Sequence, residues 1–387
     1  MPHEIEFENM PVGYAETCAL DADESVLVRG IGVATSADGE LLSIWLSGYP
    51  TEILEKVGKV GAKIRPSSVD TLLAIIRPDK TATVYVNEIK FAVRIRVTPE
   101  RIADRIEAGQ AIYDEDIEDI LIARIEGIEI PADCGVVLVL SDGWRRAILF
   151  DLLPLSPKEF GARNYDLSRV MGEVFSTFRF QHVFGLTESD WSVFFDGRWF
   201  PFSGLTKETL KLMVSAVRCG RNPDELLGRV HQELLGRLNA FVDVWRKSTS
   251  FEAHLPLLEH AIVRYKENDF VSCTSIAIPR IEGLLRANHT VLGAKGSLSQ
   301  ANLCSSAVAG ILDRNGSMLL PSRFKQYLEK VYFASFDPNS PIIDVGRNSV
   351  SHGVASPAHF DLKSATLSLL VCHQLYSTFL AASDLGE

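Results

Sequence analysis

The stretch Arg347-Asn348-Ser349-Val350-Ser351-His352-Gly353 sets a guanidinium and an imidazole five residues apart, with a carboxamide beside the arginine. A guanidinium is permanently charged and forks onto phosphate oxygens, while an imidazole gives or takes a proton near neutral pH. Together such groups have the chemistry to cleave a phosphodiester. The alternative reading makes Arg347 a helix-terminal salt-bridge partner and His352 a hydrogen-bonded loop residue. Few other stretches invite chemistry. Leu292-Gly293-Ala294-Lys295-Gly296-Ser297 lacks the spacing of a phosphate-binding G-x-x-x-x-G-K-[ST] loop, and no G-x-S-x-G elbow is present. The cysteines at 18, 134, 219, 273, 304 and 372 form no C-x-x-C pair. Neither a zinc site nor a disulfide framework is expected, no cofactor is called for, and a reducing, cytoplasmic setting fits.

The elements that position this stretch read as helices. His254–Lys266, Phe270–Asn288, Ser299–Leu312, Ser322–Ser335 and Leu362–Ala382 each carry apolar residues at i, i+3 and i+4. Thr206–Arg218 and Pro223–Lys247 precede them, the second capped by Asn222, and Leu167–Val183 reads as a further helix. The motif falls in the loop before the last helix. The run Ser364–Ala382 is apolar and nearly long enough to cross a bilayer, but it contains His373, Gln374 and several hydroxyls. It is expected to be a buried core helix, with no membrane association. The N-terminus has no basic region followed by an apolar one, so no signal peptide is expected.

Earlier in the chain the pattern is strand-like from Val26 to about Asp151. Leu27–Val33 and Leu41–Leu46 flank Asp38-Gly39, which predicts a hairpin. Thr83–Val86 and Ile89–Val97 predict a second, with Phe91, Val93, Ile95 and Val97 on one face and Lys90, Arg94 and Arg96 on the other. Thr98-Pro99-Glu100 opens a helix running to Ala108-Gly109, and the acidic run Asp114 to Asp119 reads as a solvated helix face. Val136–Leu140 and Arg146–Phe150 make a hairpin around Asp142-Gly143, and Trp191–Phe195 with Arg198–Phe202 an aromatic one around Asp196-Gly197. The fold class is therefore α+β. Its expected divisions are an irregular lead-in over 1–26, a β-rich domain over 27–160, a helical and hairpin connection over 161–250, and an all-α domain over 251–387.

At −11 the net charge argues against sequence-blind coating of nucleic acid, which needs a basic surface. The acidity is uneven, because residues 251–387 hold 11 Lys+Arg against 12 Asp+Glu. Any contact with RNA is expected there, and locally.

In that last third, a helix ending in Tyr265-Lys266-Glu267-Asn268-Asp269 leads into the long helix bearing Ile278-Pro279-Arg280-Ile281-Glu282-Gly283-Leu284-Leu285-Arg286. With Arg-Asn-x-x-x-His-Gly ahead of a final helix, this order resembles HEPN domains of the abortive-infection and Apea-like type. Pro279 within the second helix and the stretch Thr290–Pro321 depart from that pattern. The resemblance implies a helical bundle and a metal-independent endoribonuclease, in which two domains pair and their Arg/His sets share one cleft. It implies attack of a ribose 2′-hydroxyl on the adjacent phosphate, so that RNA is the substrate. His352 would then be the general base or acid, Arg347 would stabilise charge on the phosphorane oxygens, and Asn348 would orient phosphate or histidine. Glu282, Arg286 and His359 are expected around them as supporting residues. By the same analogy the setting is a toxin or antiviral defence effector, acting as a homodimer, with the β-rich domain receiving an unknown trigger or inhibitor. The competing expectation is a non-catalytic scaffold for dimerisation or nucleotide binding.

Overall fold

The structure is a computed structural model that describes residues 2–15, 27–61, 65–104, 106–155, 162–294, 297–334, 346–351 and 353–383. The chain is α+β, with a sheet region towards the N-terminus and helices towards the C-terminus. It forms two compact units, the first from residues 1–95 and 120–185, the second from 96–119 and 186–387.

Up to residue 185 the elements are β1 (His3–Glu6), β2 (Tyr14–Ala15), β3 (Val28–Arg29), β4 (Ile31–Thr35), α1 (Glu40–Ser47), α2 (Tyr49–Val60), β5 (Thr71–Ile76), β6 (Thr81–Val86), β7 (Phe91–Val97), α3 (Pro99–Ala103), β8 (Ile117–Ile125), β9 (Gly135–Asp142), β10 (Arg145–Asp151), α4 (Leu167–Arg179) and α5 (Gln181–Phe184). The first unit is built on an antiparallel sheet in the order β1-β6-β5-β9-β10-β4. Its central strands are apolar on both faces because both faces are covered. Leu72, Ala74, Val137, Val139, Ile148 and Phe150 pack with Leu42 and Trp45 of α1 and Ile53 and Val57 of α2. The alternate residues Leu73, Ile75, Val136, Leu138, Ala147 and Leu149 pack with Met171, Val174 and Phe178 of α4 and Ala123 of β8.

Several expectations change here. The expected β9–β10 hairpin is present, with Asp142 opposite Arg145 and Gly143 at φ 59°. The segment after Asp38-Gly39 is instead the helix α1, whose Leu42 and Trp45 point inward three residues apart while Leu41 and Ile44 stay exposed. β6 pairs with β5 and β1 rather than with β7, and β7 pairs with β8. β7 keeps its alternation, but Arg96, expected on a solvated face, is buried. Residues 3–6, expected to be irregular, form an edge strand that buries Ile5; residues 16–26 of that lead-in lie outside the described ones. The helix opened by Pro99 ends at Ala103, short of Ala108. The acidic run runs into β8 instead of a helix, and Glu118 and Asp119 are 3% and 0% exposed.

The second unit continues with α6 (Glu188–Asp196), α7 (Lys207–Arg218), α8 (Leu227–Trp245), α9 (Leu255–Lys266), α10 (Phe270–Val291), α11 (Gln300–Ala307), α12 (Pro321–Tyr327), α13 (Arg347–Ser351) and α14 (Leu362–Ser383). The aromatic stretch expected as a hairpin is α6, which buries Trp191 and Phe194 three residues apart and is capped by Thr187 and Asp190. α14 is long and apolar enough to cross a membrane by length and composition. It is buried along both its sides, as a core helix is, and α8 and α10 pack on it. α10 in turn carries α9, α11 and α13. A π-helical turn, Leu328–Tyr332, follows α12.

Candidate functional site

Arg347 and Asn348, expected in a loop, open the short helix α13, and partners from α10, α11 and the residues after the π-helical turn hold them. Ser349 Oγ accepts the Gly346 N–H at 2.9 Å, satisfying one of the amides that a helix start leaves open. At the other end the Gly353 N–H reaches Val350 O and the Val354 N–H reaches Ser349 O, each at 3.0 Å. These are the paired bonds of a Schellman termination, and Gly353 at φ 68° supplies its left-handed residue. The glycine of the sequence motif thus has a backbone role.

From α10, Glu282 accepts the Arg347 Nε–H on Oε2, and on Oε1 it accepts Arg286 Nε at 2.9 Å and Nη2 at 2.6 Å. Arg286 lies one turn beyond Glu282, the i, i+4 spacing that brings helical side chains together. Burial would raise the Glu282 pKa, but the hydrogen bonds from Arg347 and Arg286 and the charges behind them hold it below the ordinary carboxylate value. Glu282 therefore stays anionic, and two guanidiniums around one carboxylate leave a local charge of about +1. Arg347 Nη1 also donates to Asn348 Oδ1 at 3.0 Å. Asn348 Nδ2 donates to Phe333 O at 3.2 Å and Ala334 O at 3.0 Å, and Gln300 at the start of α11 donates to its Oδ1 at 3.3 Å. Among the described residues, two of the five guanidinium N–H groups of Arg347 are used in these bonds.

The structure thus brings Glu282, Arg286, Arg347 and Asn348 into one hydrogen-bonded cluster, with Arg347 a quarter exposed. His352 lies outside the described residues. His359 is in a single 3₁₀ turn, Pro357–His359, whose carbonyl accepts Ser364 Oγ at 2.7 Å. Among the described residues no hydrogen bond joins its ring to the cluster.

A second constellation, read in the sequence only as an acidic run, lies inside the helical core of the same unit. Asp119 accepts the Met318 N–H at 2.9 Å and, at 3.0 Å each, Ser317 Oγ and Arg314 Nη2. Glu118 accepts Ser377 Oγ at 2.5 Å, and Arg237 makes a two-pronged bond to Glu100 at 2.7 and 2.9 Å. Burial raises the Glu118 pKa and pushes that of Lys207 down to about 8. His373, wholly buried and stacked on Phe241 at 3.7 Å, is held neutral by the same burial. These shifts have a common origin, the withdrawal of charged groups from water, and the carboxylates and cations answer one another within the core. No periodicity announces such a network, because its members come from α3, β8, α7, α8 and α14 as well as from the loop ahead of α12. Among the described residues, no group of three His, Cys, Asp or Glu is arranged to hold a metal ion.

No family model, curated protein or solved structure matches the chain.

Proposed function

We propose that the chain is a metal-independent endoribonuclease whose site is centred on Arg347, Asn348 and His352. The observation that carries this reading is the fixing of Arg347 and Asn348. Glu282 orients the guanidinium from α10, main-chain carbonyls anchor the carboxamide, and the cluster keeps a net positive charge on an accessible edge of α13. A fixed guanidinium stabilises charge that develops on phosphorane oxygens. His352, five residues on, would move the proton of the 2′-hydroxyl or of the leaving 5′ oxygen, giving a 2′,3′-cyclic phosphate. By the resemblance to HEPN domains the working form is a homodimer through the helical unit, with the RNA polyanion between the two like-charged clusters. The sheet unit then takes the regulatory part. It offers an open cleft of about 670 Å³ lined by Arg77, Asp79, Tyr85, Glu129 and Asp133 for a trigger or inhibitor. The analogy with abortive-infection domains places such an activity in a cytoplasmic toxin or antiviral defence effector.

Purified full-length protein is incubated with single-stranded RNA in the presence of a chelator. Cleavage is expected to persist, and to fall by about a hundredfold or more in Arg347→Ala and in His352→Ala. Cleavage that survives both substitutions removes the assigned site.

One observation favours a second reading, a non-catalytic scaffold. The Arg347 Nε–H is engaged by Glu282, as in a helix-terminal salt bridge. In that case wild type and His352→Ala affect host growth identically.

A further inference from the structure

The π-helical turn that follows α12 meets the Arg347 cluster at several points through consecutive residues. The buried Tyr332 hydroxyl donates to Ile278 O at 2.8 Å and accepts the Glu282 N–H at 3.1 Å. In a regular α-helix those two groups, four residues apart, bond to each other. The hydroxyl thus ties both ends of that turn of α10, the turn that holds Pro279, which has no N–H to contribute. The next two residues turn their carbonyls, Phe333 O and Ala334 O, onto Asn348 Nδ2. The backbone leading into α13 rests on the same turn, since a Cβ on Gly346 would lie 3.4 Å from Tyr332 O.

We infer that Tyr332 is a positioning residue for Arg347: its hydroxyl, bonded to both ends of one turn of α10, sets where the Glu282 carboxylate meets the guanidinium. The π-helical turn that carries it fixes Asn348 at the same time. Without the hydroxyl, that turn of α10 loses its tie to Tyr332. The turn rotates, and the carboxylate leaves its present place beside Arg347 Nε. Burial keeps the phenol protonated, so the donor to Ile278 O persists across the working pH range. The consequence for activity rests on the ribonuclease reading, whereas the consequence for geometry does not.

The experiment is a double-mutant cycle on the full chain with Tyr332→Phe, Glu282→Gln and the pair. Two quantities are read: hydrogen exchange of the Arg347 Nε–H by NMR, assigned with Arg347→Lys, and kcat and KM on single-stranded RNA. Tyr332→Phe is expected to speed the exchange about tenfold and to lower kcat by about tenfold to a hundredfold, with KM within about twofold. In the Glu282→Gln background it is expected to change neither quantity further, because the path runs through Glu282. Unchanged exchange in Tyr332→Phe, or effects that multiply in the double mutant, would overturn the inference. A wild type that cleaves no RNA, with exchange still accelerated by Tyr332→Phe, removes the ribonuclease reading and upholds the role of Tyr332.

Discussion

Glu282 holds two guanidiniums with one carboxylate, and its charge state decides whether Arg347 stays oriented. Its folded pKa is depressed, so the stabilisation it provides is complete above the unfolded value near 4.5 and is lost as pH falls through the folded value. Glu282→Gln should therefore lower the unfolding free energy at pH 7 by about 1–3 kcal/mol, the worth of hydrogen bonds to charged groups. Urea unfolding of both proteins across pH checks this. The difference should be constant from pH 7 to about 4.5 and close below it; a difference that persists in stronger acid would show that this anion is not what holds the cluster. The contact between Glu282 and Arg286 could be read from their spacing of four on a periodic helix. Tyr332 could not be found that way. It stands fifty residues from Glu282 in the chain, and nothing in a Tyr-Phe pair marks a hydroxyl destined for the backbone of another helix.

At the scale of elements, α13 is only five residues long and depends on its termination. Gly353 adopts φ 68°, and an added Cβ there would meet open space, so the cost of Gly353→Ala is purely that of the left-handed backbone, about 1–2 kcal/mol. Exchange of the Val354 and Ala355 N–H groups, both bonded to Ser349 O, should accelerate about 5- to 30-fold in Gly353→Ala and much less in Gly353→Asn, which tolerates that region. Equal rates in all three proteins would mean the glycine is not what ends the helix. Asp-Gly pairs elsewhere show what such dipeptides do and do not convey. Gly143 and Gly39 both take positive φ, but the first joins two strands and the second leads into α1. Gly197 is at φ −76° and simply ends α6. A turn dipeptide marks a change of direction, and the flanking period must supply the rest. In Leu41–Leu46 and Trp191–Phe195 the apolar residues are so dense that periods of 2 and 3.6 fit equally. The long helices α8, α10 and α14 left no such ambiguity, because over some twenty residues only one period survives.

For the whole molecule, the telling feature is that residues 96–119 belong to the helical unit although sheet-unit sequence flanks them on both sides. Their acids looked solvated because charge normally lies outside, and only tertiary partners explain why Glu118 and Asp119 do not. Asp119 answers Arg314, whose side chain is 5% exposed, and Glu100 answers Arg237, whose side chain is 10% exposed. A fragment beginning at residue 186 keeps both arginines, with Lys207 and Ser377, and loses Glu100, Glu118 and Asp119. Arg237 keeps Glu233 at 3.3 Å but loses its two-pronged bond to Glu100, and Arg314 loses Asp119. Breaking one buried pair costs about 3–5 kcal/mol, a large part of the roughly 5–15 kcal/mol that holds a typical domain together. The fragment 186–387 is thus expected to retain helical far-UV circular dichroism but to lose the near-UV signal of its buried tryptophans and to melt without cooperativity, while the full chain unfolds sharply. A cooperative transition in the fragment, within a few degrees of the full-length protein, would show that the helical unit does not need the strand and loop lent from 96–119. The expected result carries a consequence for the proposed activity. The Arg347 cluster could then be assayed only in the intact chain, because the sequence that completes its supporting core is encoded between strands of the other unit.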